Sequence, residues 1–127
     1  MEFVTIVIGV ALLEYIYFAV QVGKARGEHG VSAPATTGNE IFERYYRVQM
    51  NTLELLVAFI PGLIMFSRYF DPNVAVGIGA IFIIGRMLYF KSYVSDPAKR
   101  SIGFALSILP VLILVIGGLV GAVMKII

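Results

Sequence analysis

Four long, nearly uninterrupted apolar runs dominate this chain of 127 residues. A helix needs about 20 mainly apolar residues to cross the hydrocarbon core of a bilayer, and each run meets that length. The spans cover residues 3–23, 40–69, 74–93 and 101–124. None alternates polar with apolar as a strand would, so each reads as a helix. The short alternating segments of a membrane barrel are missing. The expected fold is an all-α membrane protein, a four-transmembrane-helix bundle forming one domain over residues 1–127. Composition agrees, since 59% of residues are hydrophobic and 14% charged. A soluble domain of this size exposes too much surface for so few charges.

The connections follow from turn chemistry. Lys24 to Asn39 is the one long polar stretch, with Gly27, Gly30, Pro34 and Gly38, and reads as a loop. Asn39 or Thr37 is placed to cap the second helix. Asp71-Pro72-Asn73 and Ser95-Asp96-Pro97 read as tight turns. Pro61 and Pro110 lie inside spans, where each removes a backbone donor and favours a kink. Gly117 and Gly121, four apart, suit close helix contact, read here as local packing within the bundle. The first span begins without a basic leader and is too long for a signal core, so it reads as a retained helix.

Lys24, Arg26, Arg44, Lys91, Lys99 and Arg100 flank the first and third loops, against Arg68 and Lys125 on the other side. Lys and Arg concentrate on the cytoplasmic side of membrane proteins. The expected orientation has the first and third loops in the cytoplasm and both termini opposite. Short loops suggest a bacterial inner membrane. The net charge of +2 is too small to suggest a nucleic-acid partner. No cysteine is present, so disulfides and a thiol nucleophile of the chain's own are excluded. His29 is the one histidine and has no company for a metal site, so no metal is expected and His29 reads as a solvated loop residue.

The functional signal lies in the charges at apolar depth: Glu14, Arg47, Glu54 and Arg86. A charge there costs at least about 2.5 kcal/mol and must face protein or water. At about 100° per residue, Arg44, Arg47, Asn51 and Glu54 share an arc of roughly 80° on the second helix, while Gln49 points the opposite way. Arg86, Tyr89 and Tyr93 share about 60° on the third. Glu54 and Arg86 lie at comparable depth, where pairing would relieve both. Arg86 and Glu14 are also candidates for a structural ion pair. Tyr89 and Tyr93 read equally as an interfacial aromatic belt, which periodicity alone slightly favours. With Lys99 and Arg100 at the mouth, these stripes describe a polar pocket toward the cytoplasmic interface. It suits a zwitterionic or anionic ligand, with carboxylates for Arg44, Arg47 and Arg100 and an amine for Glu54.

These residues resemble the family of membrane-associated proteins in eicosanoid and glutathione metabolism (MAPEG), which includes microsomal glutathione transferases and cysteinyl-leukotriene synthase. The resemblance lies in residues 31–38, in Phe42-Glu43-Arg44-Tyr45-Tyr46-Arg47-Val48-Gln49-Met50-Asn51-Thr52-Leu53-Glu54, and in Gly85-Arg86-Met87-Leu88-Tyr89-Phe90-Lys91-Ser92-Tyr93 followed by Arg100. It covers nearly the whole chain. It implies a homotrimer with glutathione, as co-substrate, at each subunit interface. Arg47, Asn51, Glu54, Tyr89 and Tyr93 would bind glutathione from one subunit, and Arg26 and Gln49 from its neighbour. Arg100 would be catalytic, stabilising the glutathione thiolate for attack on a lipophilic electrophile drawn from membrane lipid. The same thiolate could reduce a lipid hydroperoxide. Two departures put the substrate in doubt: Leu55 stands where the leukotriene-forming enzyme has a tyrosine, and Gly27 where it has a second arginine. The alternatives are a lipid-presenting protein of the same fold without enzyme activity and, through the lone Glu14, a small multidrug-type transporter.

Overall fold

The computed structural model describes every residue from Met1 to Ile127. Four helices account for nearly all of it: α1 (Glu2–His29), α2 (Glu40–Tyr69), α3 (Pro72–Ser95) and α4 (Ser101–Ile126). A single 3-10 turn, Pro97–Lys99, links the last two. Each helix is long and apolar enough to cross a membrane. The central pair is α2 and α3, each packing against both α1 and α4. Successive helices alternate in direction: Gly85 faces Leu106 while Gly103 faces Tyr89, so α3 and α4 are antiparallel, whereas α2 and α4 run together, Gly117 against Phe66 and Gly121 against Tyr69.

The main departure from the expected boundaries is α1, which runs through Lys24-Ala25-Arg26-Gly27-Glu28-His29 instead of ending near Gly23. Hydropathy marks where the bilayer ends, not where the helix does. This polar segment is made largely of residues a helix tolerates, and Ala25 still buries against the bundle. His29 is therefore a half-buried residue of the last helical turn, not of a loop. The helix stops at Gly30, whose φ of 66° and ψ of 31° lie in the left-handed region that glycine adopts without strain. The Arg26 guanidinium secures the shorter loop that follows. Its Nη1 donates to the carbonyls of Val31 (3.3 Å) and Ala35 (2.7 Å), and its plane lies 4.7 Å from the Phe42 ring centre.

Caps fix the other ends. The Asn39 side chain accepts from the Phe42 amide at 2.9 Å, so of the two candidates Asn39 caps α2. Asp71 accepts from the Asn73 amide at 2.9 Å, and Pro72 occupies the first turn, so α3 starts two residues before the expected Val74. Asp96 caps the 3-10 turn through the Ala98 amide. Both α2 and α4 continue through their internal prolines.

Inward residues of α1 recur every three or four positions: Val4, Val7, Ala11, Glu14, Phe18, Val22 and Ala25. Of these, Val4, Val7 and Ala11 join Leu56, Phe59, Leu63, Ala75, Phe82 and Leu114 in the main core, where the Phe59 and Phe82 rings stack at 3.9 Å. Phe18, Val48, Tyr89 and Phe90 continue the core toward the loop side. Leu13, Val57, Ile84, Leu109 and Ile116 face outward and exposed. Outward apolar faces on four spanning helices make this an integral membrane bundle.

Candidate functional site

A cleft of about 830 Å³ opens between α2, α3 and α4 on the loop side of the bundle. Its polar wall is Arg47, Asn51, Tyr89, Tyr93 and Arg100, with Ser101, and its apolar wall is Phe104, Ala105, Ile108 and Leu109 of α4. Five of the sequence-predicted site residues thus come from three helices to one place. Tyr89 and Tyr93, one helical turn apart, stack with ring centres 5.4 Å apart. Tyr89 is only 3% exposed, so these rings line the cleft instead of forming a lipid-facing belt. Arg100 directly precedes α4 and donates to the Pro97 carbonyl at 3.0 Å. The first amides of a helix lack intrahelical acceptors and carry the positive end of its dipole. Arg100 and the start of α4 together give the cleft mouth a concentrated positive potential.

The remaining expected residues do not line this cleft. Glu54 stands two turns from Arg47 and accepts from its Nη2 at 3.0 Å; both side chains are about half exposed. The expected Glu54–Arg86 pair does not form, because Glu54 points outward on α2 while Arg86 is completely buried. Gln49 lies on the opposite side of α2, half-buried, its amide 3.5 Å from the Tyr15 hydroxyl of α1. Arg26 is committed to the loop after α1. Arg44 is not in the cleft: it pairs with Glu40 at 3.1 Å and donates to the Val94 and Ser95 carbonyls at the end of α3. It borders a shallower hollow of about 410 Å³, which meets the main cleft at Arg47 and Tyr93.

Arg86 is held by hydroxyls and an amide. Its Nε donates to the Ser107 Oγ (2.9 Å), and its Nη1 to the Asn51 Oδ1 (2.7 Å) and the Thr52 Oγ1 (3.1 Å). Glu14 is buried on α1. No ion pair within 4.0 Å joins it to Arg86, so the expected Glu14–Arg86 pair is not made. Sequence reasoning overlooked Thr52 and Ser107. Their signal was small hydroxyl residues inside apolar runs, at the depth of an arginine that needs acceptors. The α4 wall carried no signal, since that helix is apolar throughout.

Fold and cleft define a class: an integral membrane four-helix protein with a cationic, tyrosine-lined site open to its apolar exterior. The chain belongs to the MAPEG family, whose model matches residues 4–120. It is 47% identical to an uncharacterised protein of Synechocystis sp., over 90% of this chain and 83% of that one. It is 46% identical to human microsomal glutathione S-transferase 2, over 72% of this chain and 63% of the human protein. It is 38% identical to leukotriene C4 synthase of Cavia porcellus, over 66% and 56% respectively. The matched segment thus spans somewhat under two thirds of the named enzymes.

Proposed function

We propose that the protein is a membrane-bound glutathione transferase. The observation that carries this reading is the cleft itself, which joins an arginine- and tyrosine-lined wall to an apolar wall continuous with the outer face of α4. A tripeptide thiol suits the first wall and a lipophilic electrophile the second. Arg47 offers its guanidinium to a carboxylate, and Asn51, Tyr89 and Tyr93 offer hydrogen bonds. Glu54, paired with Arg47 at 3.0 Å, takes the amine of the ligand when that pair opens.

The chemistry falls to the thiolate of glutathione. A free thiol titrates near pH 8.5, and a neighbouring cation lowers that value. Arg100 at the start of α4 supplies the cation and remains charged throughout. With an aryl halide, the sulfur forms a bond to the ring carbon and halide departs with the bonding pair. With a lipid hydroperoxide, the thiolate takes the distal oxygen and releases an alcohol. A second glutathione then converts the sulfenic acid to disulfide and water.

The working unit is a homotrimer, in which Gln49 and Arg26, both outside the cleft of their own subunit, approach a neighbour's site. The cleft faces the cytoplasm in this reading, which the excess of Lys and Arg around the first and third loops supports. The test is titration calorimetry of the purified protein with glutathione, followed by a conjugation assay with a halodinitrobenzene. Binding and conjugation are expected; the absence of both would sink the proposal.

A further inference from the structure

Arg86 sits beneath the cleft, fully buried, and links three helices through Asn51 and Thr52 of α2 and Ser107 of α4. Both hydroxyls are spoken for as donors. Thr52 donates to the Val48 carbonyl and Ser107 to the Gly103 carbonyl, each at 2.7 Å and four residues back. Their lone pairs are thereby left for Arg86. A guanidinium carries five donors and no acceptor. Whatever side-chain atom of Asn51 faces it must be the oxygen, so the two amide N–H groups turn the other way. Asn51 lines the cleft. The same guanidinium lies 4.4 Å from the centre of the Tyr89 ring, which also packs against Tyr93 and Phe104.

We propose that Arg86 is a positioning residue. It fixes the Asn51 amide with its oxygen inward and its N–H groups toward the cleft. This position then recognises a hydrogen-bond acceptor, a carboxylate or peptide carbonyl oxygen, and rejects an amine. The inference rests on the transferase reading for its ligand, glutathione, but the Arg86–Asn51 lock itself does not. It divides the recognition: acceptor oxygens of the tripeptide meet Asn51, and its amine goes to Glu54, on the far side of Arg47.

Three variants test it in the whole chain in detergent. Asn51→Asp keeps an oxygen for Arg86 and replaces the outward N–H groups by a second oxygen. It is expected to unfold at least as high in temperature as wild type while losing glutathione affinity about tenfold or more. Asn51→Leu leaves the Arg86 donors without an acceptor and should unfold lower than Asn51→Asp. Arg86→Lys offers a point charge that cannot reach three acceptors at once. The KM for glutathione should rise about tenfold, with kcat and the ultraviolet thiolate signal within about twofold of wild type, because Arg100 is untouched. A merely structural role would instead lower kcat through lost active protein and leave KM alone.

Glutathione affinity unchanged in Asn51→Asp, or equal melting of the Asp and Leu variants, overturns the proposal. If Arg86→Lys fails to fold, the Asn51→Asp result decides alone, since that variant retains every partner of Arg86. A wild-type protein that binds no glutathione defeats the transferase reading, and the melting comparison still decides the lock.

Discussion

The two ends of the bundle are held together by different chemistry. Away from the long loop, α2 and α4 meet through glycines: Gly117 receives the Phe66 ring, Gly118 the Met65 side chain and Gly121 the Tyr69 side chain. Phe59 and Phe82 stack beside them. That end is dry and fitted by shape, as expected where lipid removes any hydrophobic drive between helices. At the loop end, α2, α3 and α4 meet through Arg86, Asn51, Thr52 and Ser107, and Arg44 ties α2 to the last carbonyls of α3. Here contact is directional, and it leaves a cleft. Glycines set helix spacing at both ends, Gly85 and Gly103 doing so between α3 and α4, and the polar end uses that spacing to hold side chains at fixed angles.

The largest expected effect separates charge from packing at the polar end. Arg100→Ala removes the cation at the mouth but no packed side chain, so the fold and glutathione binding should persist. The cationic field favours the thiolate, and its loss raises the thiol pKa toward the free value near 8.5. At neutral pH the thiolate absorbance should then vanish and conjugation fall about 100-fold. An undiminished thiolate signal would remove Arg100 from its assigned role. Next in size is Glu54→Ala, which should abolish measurable glutathione binding with the helices intact by circular dichroism. Unchanged affinity would place the amine site elsewhere.

The comparison is broken most directly by one methyl group at each end. At Gly103 an added Cβ would lie 2.4 Å from the Tyr89 backbone nitrogen, so α3 and α4 must separate. At Gly117 it would lie 2.6 Å from Cδ2 of Phe66, a ring that can shift. Gly103→Ala should cost about 1–3 kcal/mol by reversible unfolding in detergent and weaken glutathione binding through Tyr89. Gly117→Ala should cost less and leave binding alone. Equal losses of binding would show that the two ends are one mechanical unit.

Much of this was legible in the chain. Four spans follow from run length, and Asn39 announced α2 by its capping chemistry, whereas Asp71 read as part of a tight turn and its role as the cap of α3 was missed. Arg47, Asn51, Tyr89, Tyr93 and Arg100 line one cleft, and helical periodicity accounts for the shared faces of Arg47 with Asn51 and of Tyr89 with Tyr93. Periodicity says which residues share a face but not how far a side chain reaches along it. Arg47 therefore took Glu54, seven residues on, and the expected Glu54–Arg86 pair was lost. The partners of Arg86 were hidden for a related reason: serine and threonine inside apolar runs look like filler until a neighbouring helix brings a donor. The end of α1 was misplaced because hydropathy measures solvent, whereas a helix ends where its backbone turns, at Gly30.

The smallest effect sharpens the contrast most finely. Arg44 is half-buried, but its Glu40 partner is exposed, and such an i,i+4 pair contributes only about 0.3–0.5 kcal/mol. Its bonds to the Val94 and Ser95 carbonyls satisfy acceptors that the last turn of α3 cannot pair internally. Arg44→Gln should therefore lower stability by about 1 kcal/mol or less. The loss should be local, since the apolar end shares no group with it. Amide exchange should quicken at residues 92–96, where the end of α3 frays, and stay unchanged at residues 111–118, where α4 packs against α2. Faster exchange in both segments would mean that the polar clamp also holds the glycine seam, and the division of labour between the two ends would fail.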